Sequence, residues 1–304
     1  MKRLSYWLTR LAIELFRPMP FWLVYRLSDA LSFFLQYVVG YRRRVVWDNL
    51  RRAFPHSDRR ELRRIVRKAY RNLADVMLET LKSYTLPVTE IQRRSRPLNP
   101  EVVNRHLNRG KCVILCGGHY ANWEYTGISM PPLFHGPTLT VYKPIANDYT
   151  NALVNGKRAR TGMVMIRMEE TFSVMRRYKE HSQPAVFILL ADQSPSNRKG
   201  AHWVRFLNQD TASLPGVDVL ARRMNFPVVF YYAQRKRRGF YEVHFADLYT
   251  DVHSAKEGEI TQAFADALEH IICQRPENWL WTHRRWKMTR ANDAVNTFVD
   301  TPEG

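Results

Sequence analysis

The sequence predicts an α/β fold in which a mixed sheet is flanked by helices, preceded by a helical N-terminal region. Beyond residue 100, short apolar runs typical of strands alternate with segments of helical periodicity, which is the pattern of an α/β domain. In the preceding region, apolar residues recur at helical spacing. Hydrophobic residues make up 45% of the 304 residues, so the chain can bury a sizeable core.

The first 41 residues are the most apolar part of the chain. A run from Leu4 to Phe16 is ended by two prolines, and a second run from Phe21 to Tyr41 contains Arg26 and Asp29. A membrane-spanning helix needs about 20 apolar residues with few charges. The sequence has no small-residue cleavage site of the kind that marks a removable signal peptide. We therefore expect residues 1–41 to be a retained membrane-associating helical segment, the alternative being a helical hairpin packed on the soluble body.

Residues 42–98 are predicted to form a helical region. Arg42–Arg44 follow the apolar segment directly, a position that suits the anionic cytoplasmic face of a membrane. Asp58 and Glu61 have the spacing of a capping box, and a helix with one apolar stripe is expected from there to about Ser83. The basic, proline-containing stretch 93–100 is the expected boundary with an α/β domain at residues 99–288. A polar C-terminal tail, residues 289–304, is expected to be loose.

The α/β domain follows from a regular alternation of elements. The expected strands are Val113–Cys116, Thr138–Tyr142, Met163–Ile166, Ala185–Ala191, Pro227–Ala233 and Phe240–Phe245. The expected helices are Asn122–Ser129, Asp148–Arg160, Glu169–Lys179, Gly216–Met224 and Glu259–Cys273.

Composition narrows the function without deciding it. The chain has 47 Lys and Arg against 28 Asp and Glu, a net charge of +19, and so prefers anionic partners: nucleic acid, anionic lipid, phosphorylated substrates or acidic proteins. Its three cysteines fit no metal or disulfide framework and indicate a reducing compartment. The signatures of serine hydrolases, P-loop and dinucleotide-binding proteins and zincins are absent from the sequence.

The stretch from Lys111 to Gly127 contains the candidate catalytic residues. Its apolar run is ended by a glycine pair, which places His119 in a loop at the carboxyl end of a buried strand, where open α/β sheets bind ligands. Asn122 is the expected N-cap of the helix that carries Glu124. His119 and Glu124 are five positions apart, about 140° on one helix, so the two meet only if the chain turns between them.

Two interpretations of this pair remain open from spacing alone. In the first, Glu124 orients His119, fixes its tautomer and stabilises the imidazolium of a general base. In the second, His119 bonds a backbone carbonyl and Glu124 lies near a helix start for electrostatic reasons. Cys116 precedes His119 by three residues, so a Cys–His nucleophile is a further alternative, although a cysteine inside an apolar strand is usually inert.

Polar residues at other predicted strand and helix ends extend the candidate site. These are Lys143, Arg158, Arg160, Asp192 and Gln193. If the strands run parallel, such residues share one sheet edge with His119 and form a basic pocket suited to a phosphate-bearing substrate. Solvated loop charges are the alternative for each. The run Pro276–Lys287 interleaves three tryptophans with four potentially cationic residues, which suits nucleic-acid stacking, a membrane interface or a structural strand.

The stretch Gly118–Glu124 resembles the H-x4-D/E signature of glycerolipid-type acyltransferases. Its Asn-Trp-Glu ending resembles the lauroyl and myristoyl transferases, the late acyltransferases of lipid A biosynthesis. The resemblance extends over most of the chain. Further similar stretches are Gly40-Tyr41-Arg42-Arg43, Asn49-Leu50, Phe54-Pro55, Lys157–Arg160, Asp192 and Trp279–Lys287.

The resemblance implies a glycerolipid acyltransferase-like fold and an O-acyltransferase at the cytoplasmic face of the bacterial inner membrane. Such an enzyme moves a fatty acyl chain from a thioester, usually on acyl carrier protein, to a hydroxyl of a lipid A precursor or another anionic glycolipid. His119 and Glu124 are then the catalytic residues. Substrate binding is expected at Asn122, Trp123, Lys143, Arg158, Arg160, Asp192 and Gln193. We expect neither a metal nor another cofactor.

Two other classes of function remain as alternatives. A thioester or lipid hydrolase would use the same histidine to activate water. A nucleic-acid-binding protein would use the positive charge and the tryptophan run. The acyltransferase interpretation predicts that nucleic acid is not a partner.

Overall fold

The computed structural model describes residues 2–196, 198 and 200–290. The predicted tail lies, from residue 291 onward, outside the described residues. The N-terminal half is helical, as the sequence predicts. Its helices are α1 (Lys2–Phe16), α2 (Phe21–Phe33), α3 (Arg43–Ala53), α4 (Arg59–Ser83) and α5 (Val88–Arg94), with a π-helical turn (Phe34–Val38) after α2.

A mixed seven-stranded sheet forms the centre of the molecule. Its strands are β1 (Ser95–Pro97), β2 (Val113–Gly117), β3 (Thr138–Tyr142), β4 (Met163–Arg167), β5 (Val186–Leu190), β8 (Val228–Arg237) and β9 (Phe240–Tyr249). The order is β1-β9-β8-β2-β5-β3-β4, and β8, β2, β5, β3 and β4 run parallel. β9 is antiparallel to β8, and β1 is parallel to β9. The mixed sheet predicted from the sequence is therefore confirmed.

The remaining helices connect and cover the strands. They are α6 (Glu101–Leu107), α7 (Trp123–Ser129), α8 (Asp148–Ala159), α9 (Thr171–Glu180), α10 (Gly216–Met224) and α11 (Glu259–Gln274). Alternate residues of β2 point to opposite sides of the sheet, as the period of a strand requires. Ile114 and Cys116 join the larger apolar core, whereas Val113 and Leu115 join the smaller one. The carboxyl end of β2 is thus held rigidly between two packed layers.

Three strands are missing from the sequence-based assignment. The stretch assigned to a basic connection contains β1, whose three residues include a proline and pair with the edge of the sheet. The hairpin β6 (His202–Phe206) and β7 (Gln209–Ser213) stands apart from the main sheet. β7 reads Gln-Asp-Thr-Ala-Ser, and with Thr211 as its one β-branched residue it lacks the run of apolar and β-branched residues that identifies a strand.

The N-terminal helices pack on the body with one face and expose apolar residues on the other. Ile13 and Val24 are buried, and Ser28 Oγ donates to Asp75 Oδ1 of α4 over 2.6 Å. The start of α1 rests on α8, where Asn147 Nδ2 donates to the Lys2 carbonyl at 2.8 Å. Within residues 2–196, 198 and 200–290, no helix combines the length and the hydropathy needed to cross a membrane.

Helix α4 begins as the sequence predicts and differs in its second half. The Asp58 side chain accepts from the Glu61 amide, so the expected N-cap is present. The expected apolar stripe gives way to buried Asn72, Asp75 and Glu79, whereas Met77 is exposed. These polar groups are tolerated inside because each has hydrogen-bond partners on another element.

Candidate active site

His119 lies in a sharp loop directly after β2, at the carboxyl edge shared by β2, β5 and β3. Two glycines allow the chain to pass this point. A Cβ atom at Gly117 would lie 2.6 Å from the Tyr231 ring, and one at Gly118 would lie 3.2 Å from Asp192 Oδ2. The sequence prediction of a histidine at this edge is confirmed. The glycine pair lets the backbone pass close to the side chains of Tyr231 and Asp192.

The carboxylate of Asp192 orients His119. Nδ1 of the ring lies 2.7 Å from Asp192 Oδ1, and the His119 backbone N–H donates to Oδ2 over 2.8 Å. A carboxylate only accepts hydrogen bonds, so Nδ1 carries the proton and Nε2 keeps a free lone pair. Trp279 Nε1 also donates to Asp192 Oδ2, at 2.9 Å, and fixes the carboxylate. Nε2 is therefore the ring nitrogen of His119 that can accept a proton.

The electrostatics of the pair agree with this geometry. Burial alone would lower the pKa of His119, but the Asp192 carboxylate, its hydrogen bond and the more distant charge of Glu124 outweigh burial and raise that pKa above its ordinary value. Burial acts against the charge of Asp192, yet the His119 ring, the His119 N–H and Trp279 hold its pKa at about 2. The carboxylate therefore stays charged and stabilises an imidazolium.

Glu124 does not provide the orienting contact that the sequence suggests. Its carboxylate forms a two-pronged ion pair with Arg158, with Oε2 3.0 Å from Nε and Oε1 2.5 Å from the nearer Nη. The chain does turn between His119 and Glu124, but Asp192 occupies the Nδ1 side of the ring. The expectation that Glu124 orients His119 is thus corrected: Glu124 acts on the histidine through its charge and on α8 through Arg158.

Three further residues differ from their expected role in substrate binding. Asn122 is fully buried: its Oδ1 caps α7 by accepting from the Tyr125 amide, and its Nδ2 donates to Glu79. Arg160 donates to the backbone carbonyls of Leu86 and Ser83, so its guanidinium ties α8 to the end of α4. Asp192 is buried beneath His119. We correct these three assignments because each of these side chains already has hydrogen-bond partners inside the protein.

Trp123, Lys143 and Gln193 surround the free side of His119 or lie at the same edge. The Trp123 and His119 rings are 5.1 Å apart in an edge-to-face arrangement. The exposed Gln193 side chain places its amide nitrogen 3.4 Å from His119 Nε2. Lys143 is exposed directly after β3, at the carboxyl edge of the parallel strands, as the sequence predicts. Trp123 and Gln193 therefore flank the His119 ring, and Lys143 lies at the same sheet edge.

The C-terminal tryptophan run is structural. Trp279, Trp281 and Trp286 are buried, which contradicts both the nucleic-acid and the membrane-interface interpretations, and the run forms a 3₁₀ turn and loop in place of a strand. The Leu280 amide donates to the His119 carbonyl over 3.1 Å, and the Ala121 amide donates to the Asn278 carbonyl over 2.8 Å. The run therefore braces the loop that carries His119.

Residues near the N-terminus hold the same run from its other side. Asn49 Nδ2 donates to the carbonyls of Trp281 and His283 at 2.9 and 2.8 Å. Arg42 donates to the Thr282 carbonyl over 3.0 Å. Hydrogen bonds between residues 232 to 240 positions apart thus join the N-terminal stretches around Arg42 and Asn49 to the C-terminal tryptophan run. The stretches form one structural unit. Sequence reasoning identified both stretches but not this contact.

Cys116 is poorly suited to be a nucleophile. Its side chain is fully buried on β2 within the larger core, and burial raises the pKa of its thiol. A cysteine nucleophile needs a lowered pKa and access to substrate. The geometry favours the histidine–carboxylate pair as the chemical centre.

Fold and site together define a class of protein: an α/β protein with a histidine, held by a buried aspartate, at the carboxyl edge of parallel strands. This arrangement suits proton abstraction from a hydroxyl or a water that attacks an acyl group. A family model described as bacterial lipid A biosynthesis acyltransferase matches residues 1–288. The chain belongs to this family of acyltransferases.

Similar known proteins agree with the family. The chain is 23% identical over 288 residues to the lipid A biosynthesis lauroyltransferase of Escherichia coli (strain K12), covering 93% of this chain and 92% of that protein. It is 20% identical over 286 residues to the lipid A biosynthesis palmitoleoyltransferase of the same organism, with the same two coverages. A lipid A biosynthesis acyltransferase of Shigella flexneri is 20% identical over 286 residues.

Proposed function

We propose that this protein transfers a fatty acyl chain from an acyl thioester to a hydroxyl of a lipid A precursor or a related anionic glycolipid, with His119 as the general base. The observation that carries the proposal is the bond between His119 Nδ1 and Asp192, which leaves Nε2 as the basic atom at the sheet edge. The family and the similar transferases support the reaction class and the acceptor. Acyl carrier protein is the donor we propose.

The chemistry follows from the geometry of the pair. His119 Nε2 takes the proton of the acceptor hydroxyl while the hydroxyl oxygen attacks the thioester carbonyl. A C–O bond to the acceptor forms, and the C–S bond of the thioester breaks. The departing thiolate then takes the proton from the imidazolium, and His119 returns to its starting state. General base catalysis of this kind contributes roughly 10²- to 10⁴-fold. Asp192 holds the ring and offsets its transient charge.

The negative oxygen that forms in the transition state also needs a donor. The amides of His119, Tyr120 and Ala121 already donate to Asp192, Gly118 and Asn278, so they do not serve this purpose. The Gln193 side-chain amide lies next to Nε2 and is exposed, and we assign it this role. Such a donor contributes about 10²- to 10³-fold. Trp123 and Lys143 are proposed substrate contacts.

We further propose that the enzyme works at the cytoplasmic face of the bacterial inner membrane. Leu4, Trp7, Leu8, Leu11 and Leu15 form one exposed apolar ridge along α1, each more than half exposed. An exposed apolar ridge of this kind is typical of helices that lie in a membrane interface. Because α1 rests on α8, the ridge is attached to the catalytic domain and brings it to lipid-embedded acceptors.

The test uses the purified protein in detergent with acylated carrier protein and a lipid A precursor. Mass spectrometry should detect the acyl-extended glycolipid with the wild type, and His119→Ala should reduce the rate by at least about 10²-fold. His119→Ala should keep the wild-type circular dichroism spectrum, because it changes one side chain in a loop and alters no helix or strand. Near wild-type turnover by a folded His119→Ala protein would disprove the mechanism.

The hydrolase alternative is decided by the same assay. Free fatty acid released without the extended glycolipid would show transfer to water. Cys116→Ala should remain active, because the thiol is buried in the core. Comparing membrane glycolipids of cells with and without the gene identifies the acceptor and the chain length.

A further inference from the structure

A large basic cleft lies between α3 and the first half of α4, closed at one end by the π-helical turn. Its volume is about 1630 Å³, and eight arginines and three carboxylates line it. We call it the arginine cleft. Prominent among its lining residues are Arg43, Arg44, Arg59, Arg60, Arg63 and Arg67.

The charges of the arginine cleft are mostly uncompensated. Within residues 2–196, 198 and 200–290, these six arginines have no carboxylate within 4.0 Å, and the one ion pair inside the cleft joins Arg64 to Glu61 at 3.9 Å. Arg59, Arg63 and Arg67 follow one another at four-residue spacing along α4, where like charges destabilise a helix by a few tenths of a kcal/mol per pair. A bound anion would offset this repulsion.

A second basic surface shows the contrast. Arg235 and Arg238 line another cavity, but both donate to the buried carboxylate of Asp75 and so hold the β8–β9 hairpin on α4. Their charge is used inside the fold. In the described part of the chain, the six arginines named above form no such ion pair, and they are available to meet a partner.

The shape of the arginine cleft indicates the kind of anion. Arginines 59 to 67 extend over about 12 Å of helix, too far to converge on one phosphate. Their spacing of three to four residues matches carboxylates at the same spacing on a second helix. The cleft volume equals that of a helix about 10 Å wide and 20 Å long, roughly 13 residues. A flat bilayer surface would not enter such a concavity.

The arginine cleft also lies close to the reacting atoms. On its other side, α3 holds the Trp281–His283 backbone through Asn49, and that run holds the His119 loop through Leu280. Val46 of α3 and Trp123, the neighbour of His119, line one small cavity. Helix α3 and the Trp281–His283 backbone therefore lie between a partner in the cleft and the site. A thioester on a flexible arm bridges this separation.

We propose that the arginine cleft docks an acidic helix of the protein that carries the acyl thioester. This rests on the proposed acyl transfer and names the surface through which the donor is recognised. Electrostatic complementarity of this kind speeds encounter and selects the partner, and it weakens as salt is added.

Direct binding provides the first test. Fluorescence anisotropy would measure the affinity of labelled acyl carrier protein for the full-length enzyme in neutral detergent, over a range of salt. We expect the double variant Arg63→Glu, Arg67→Glu to bind at least about tenfold more weakly, with a reduced salt dependence. The variant Arg63→Lys, Arg67→Lys keeps the charge and should retain most of the affinity.

A control on another surface separates the cleft from net charge. The variant Arg176→Glu, Arg177→Glu makes the same change of charge at two exposed positions of α9, and should bind carrier protein like the wild type. Equal weakening by both double variants would overturn the proposal. Circular dichroism of each variant identifies any loss of folding, and the lysine variant keeps the test decisive if the glutamates disturb α4.

Kinetics then distinguish the possible occupants. The cleft variant should raise the KM for acylated carrier protein and leave turnover of a neutral acyl-pantetheine thioester unchanged. A higher KM for the glycolipid acceptor, or lost binding to anionic vesicles with an unchanged carrier affinity, would overturn the proposal in favour of phosphate or membrane binding. If the wild type binds the carrier but transfers no acyl group, the proposed function fails and the docking surface stands.

Discussion

At the scale of single residues, the position of a proton decides how the site works. Because Asp192 accepts from both the ring and the backbone of His119, the carboxylate fixes the direction of the ring and its tautomer together. The Trp279 indole holds the carboxylate in turn. Three residues from distant parts of the sequence thus prepare one lone pair, on Nε2, for the substrate.

Replacing Asp192 by asparagine should change both the rate and its pH dependence. The carboxylate raises the pKa of His119, so the wild type gains activity as pH rises through that raised value and the ring becomes neutral. In Asp192→Asn the pKa of His119 falls, and the acidic limb of kcat/KM should move to lower pH. The maximum should fall by roughly 10²- to 10⁴-fold, because the tautomer and the imidazolium lose support.

Measurement of kcat/KM between pH 5 and 9 checks this prediction, since that range includes the ordinary histidine pKa of about 6.5. An Asp192→Asn enzyme with an unmoved acidic limb would show that another group is the base. The same carboxylate stabilises the fold: its pKa of about 2 lies below the unfolded value of about 3.9. Its contribution to stability is therefore complete above the unfolded pKa and disappears as pH falls through the folded pKa.

Glu124 and Arg158 should behave as one unit. Their two-pronged ion pair joins the start of α7 to the end of α8, and the charge of Glu124 also supports the His119 imidazolium. We expect Glu124→Gln and Arg158→Ala each to reduce kcat/KM by about tenfold. The kcat/KM of the double variant should be no lower than that of the less active single variant. A double-mutant cycle of kcat/KM values measures this coupling.

The size of the two losses distinguishes positioning from direct participation. If Glu124→Gln loses far more activity than Arg158→Ala, Glu124 acts on the reacting groups and the ion pair is secondary. Losses that simply multiply in the double variant would contradict the joint role.

At the scale of elements, regular periodicity made most of the fold predictable. The strands β2, β3, β4 and β5 lie within one residue of their expected ends, because a short apolar run between polar turns has few other solutions. The N-cap of α4 at Asp58 could also be predicted from the sequence. The hairpin of β6 and β7 was not, since its polar residues are covered by Arg285 and Trp286 from the distant C-terminal run.

The candidate site was predictable in its position and not in its contacts. The glycine pair after an apolar run places His119 at the sheet edge by local rules alone. The partner of His119, however, is 73 positions away, and an alternative carboxylate is only five positions away. Asp192 follows a buried strand parallel to β2, which is the signal that could have favoured it over Glu124.

The second half of α4 makes a prediction about stability. Glu79 is fully buried and accepts from Tyr25 Oη, Tyr241 Oη and Asn122 Nδ2 at 3.1, 2.7 and 2.7 Å. Glu79→Ala leaves these donors buried without a partner, each at a cost of about 1–3 kcal/mol. We therefore expect the free energy of unfolding to fall by roughly 3 kcal/mol or more.

Chemical denaturation of the detergent-solubilised protein provides the measurement. Arg64→Ala on the exposed face of the same helix is the matched control and should change stability by less than about 0.5 kcal/mol. A Glu79→Ala protein as stable as this control would show that water or rearrangement satisfies the three donors. Because Asn122 also caps α7, we expect activity to fall together with stability.

At the scale of the whole molecule, the N-terminal helices combine two functions. Their inner face completes the fold: Ser28 bonds Asp75, and Asp29 pairs with Arg238 of the β8–β9 hairpin at 2.8 Å. Their outer face displays apolar side chains to the surroundings. The sequence offered membrane association and packing on the body as alternatives, whereas the structure has the packing and keeps an apolar face that suits a membrane.

This double use determines how membrane binding should be tested. Deleting residues 1–41 would uncover Asp75 and the apolar face of α4, so lost activity would only report misfolding. Substitutions on the exposed ridge leave the inner face intact. Leu8 and Leu11 are 57% and 54% exposed, and Leu8→Glu with Leu11→Glu removes apolar surface that we expect to enter the bilayer interface.

We expect the wild-type protein to sediment with vesicles that contain anionic lipid and to stay bound at high salt, because apolar burial carries much of the binding. If the membrane no longer buries these two leucine side chains, binding loses about 3 kcal/mol, so the double variant should partition roughly 10²-fold less into the membrane fraction. Leu98→Glu, which changes an exposed apolar position next to β1 at the far edge of the sheet, should bind like the wild type.

Turnover of detergent-dispersed acceptor should be unchanged in all variants, whereas turnover of vesicle-embedded acceptor should fall only when the ridge is altered. Equal vesicle binding by the ridge variant and the Leu98 variant would place the membrane contact on another surface.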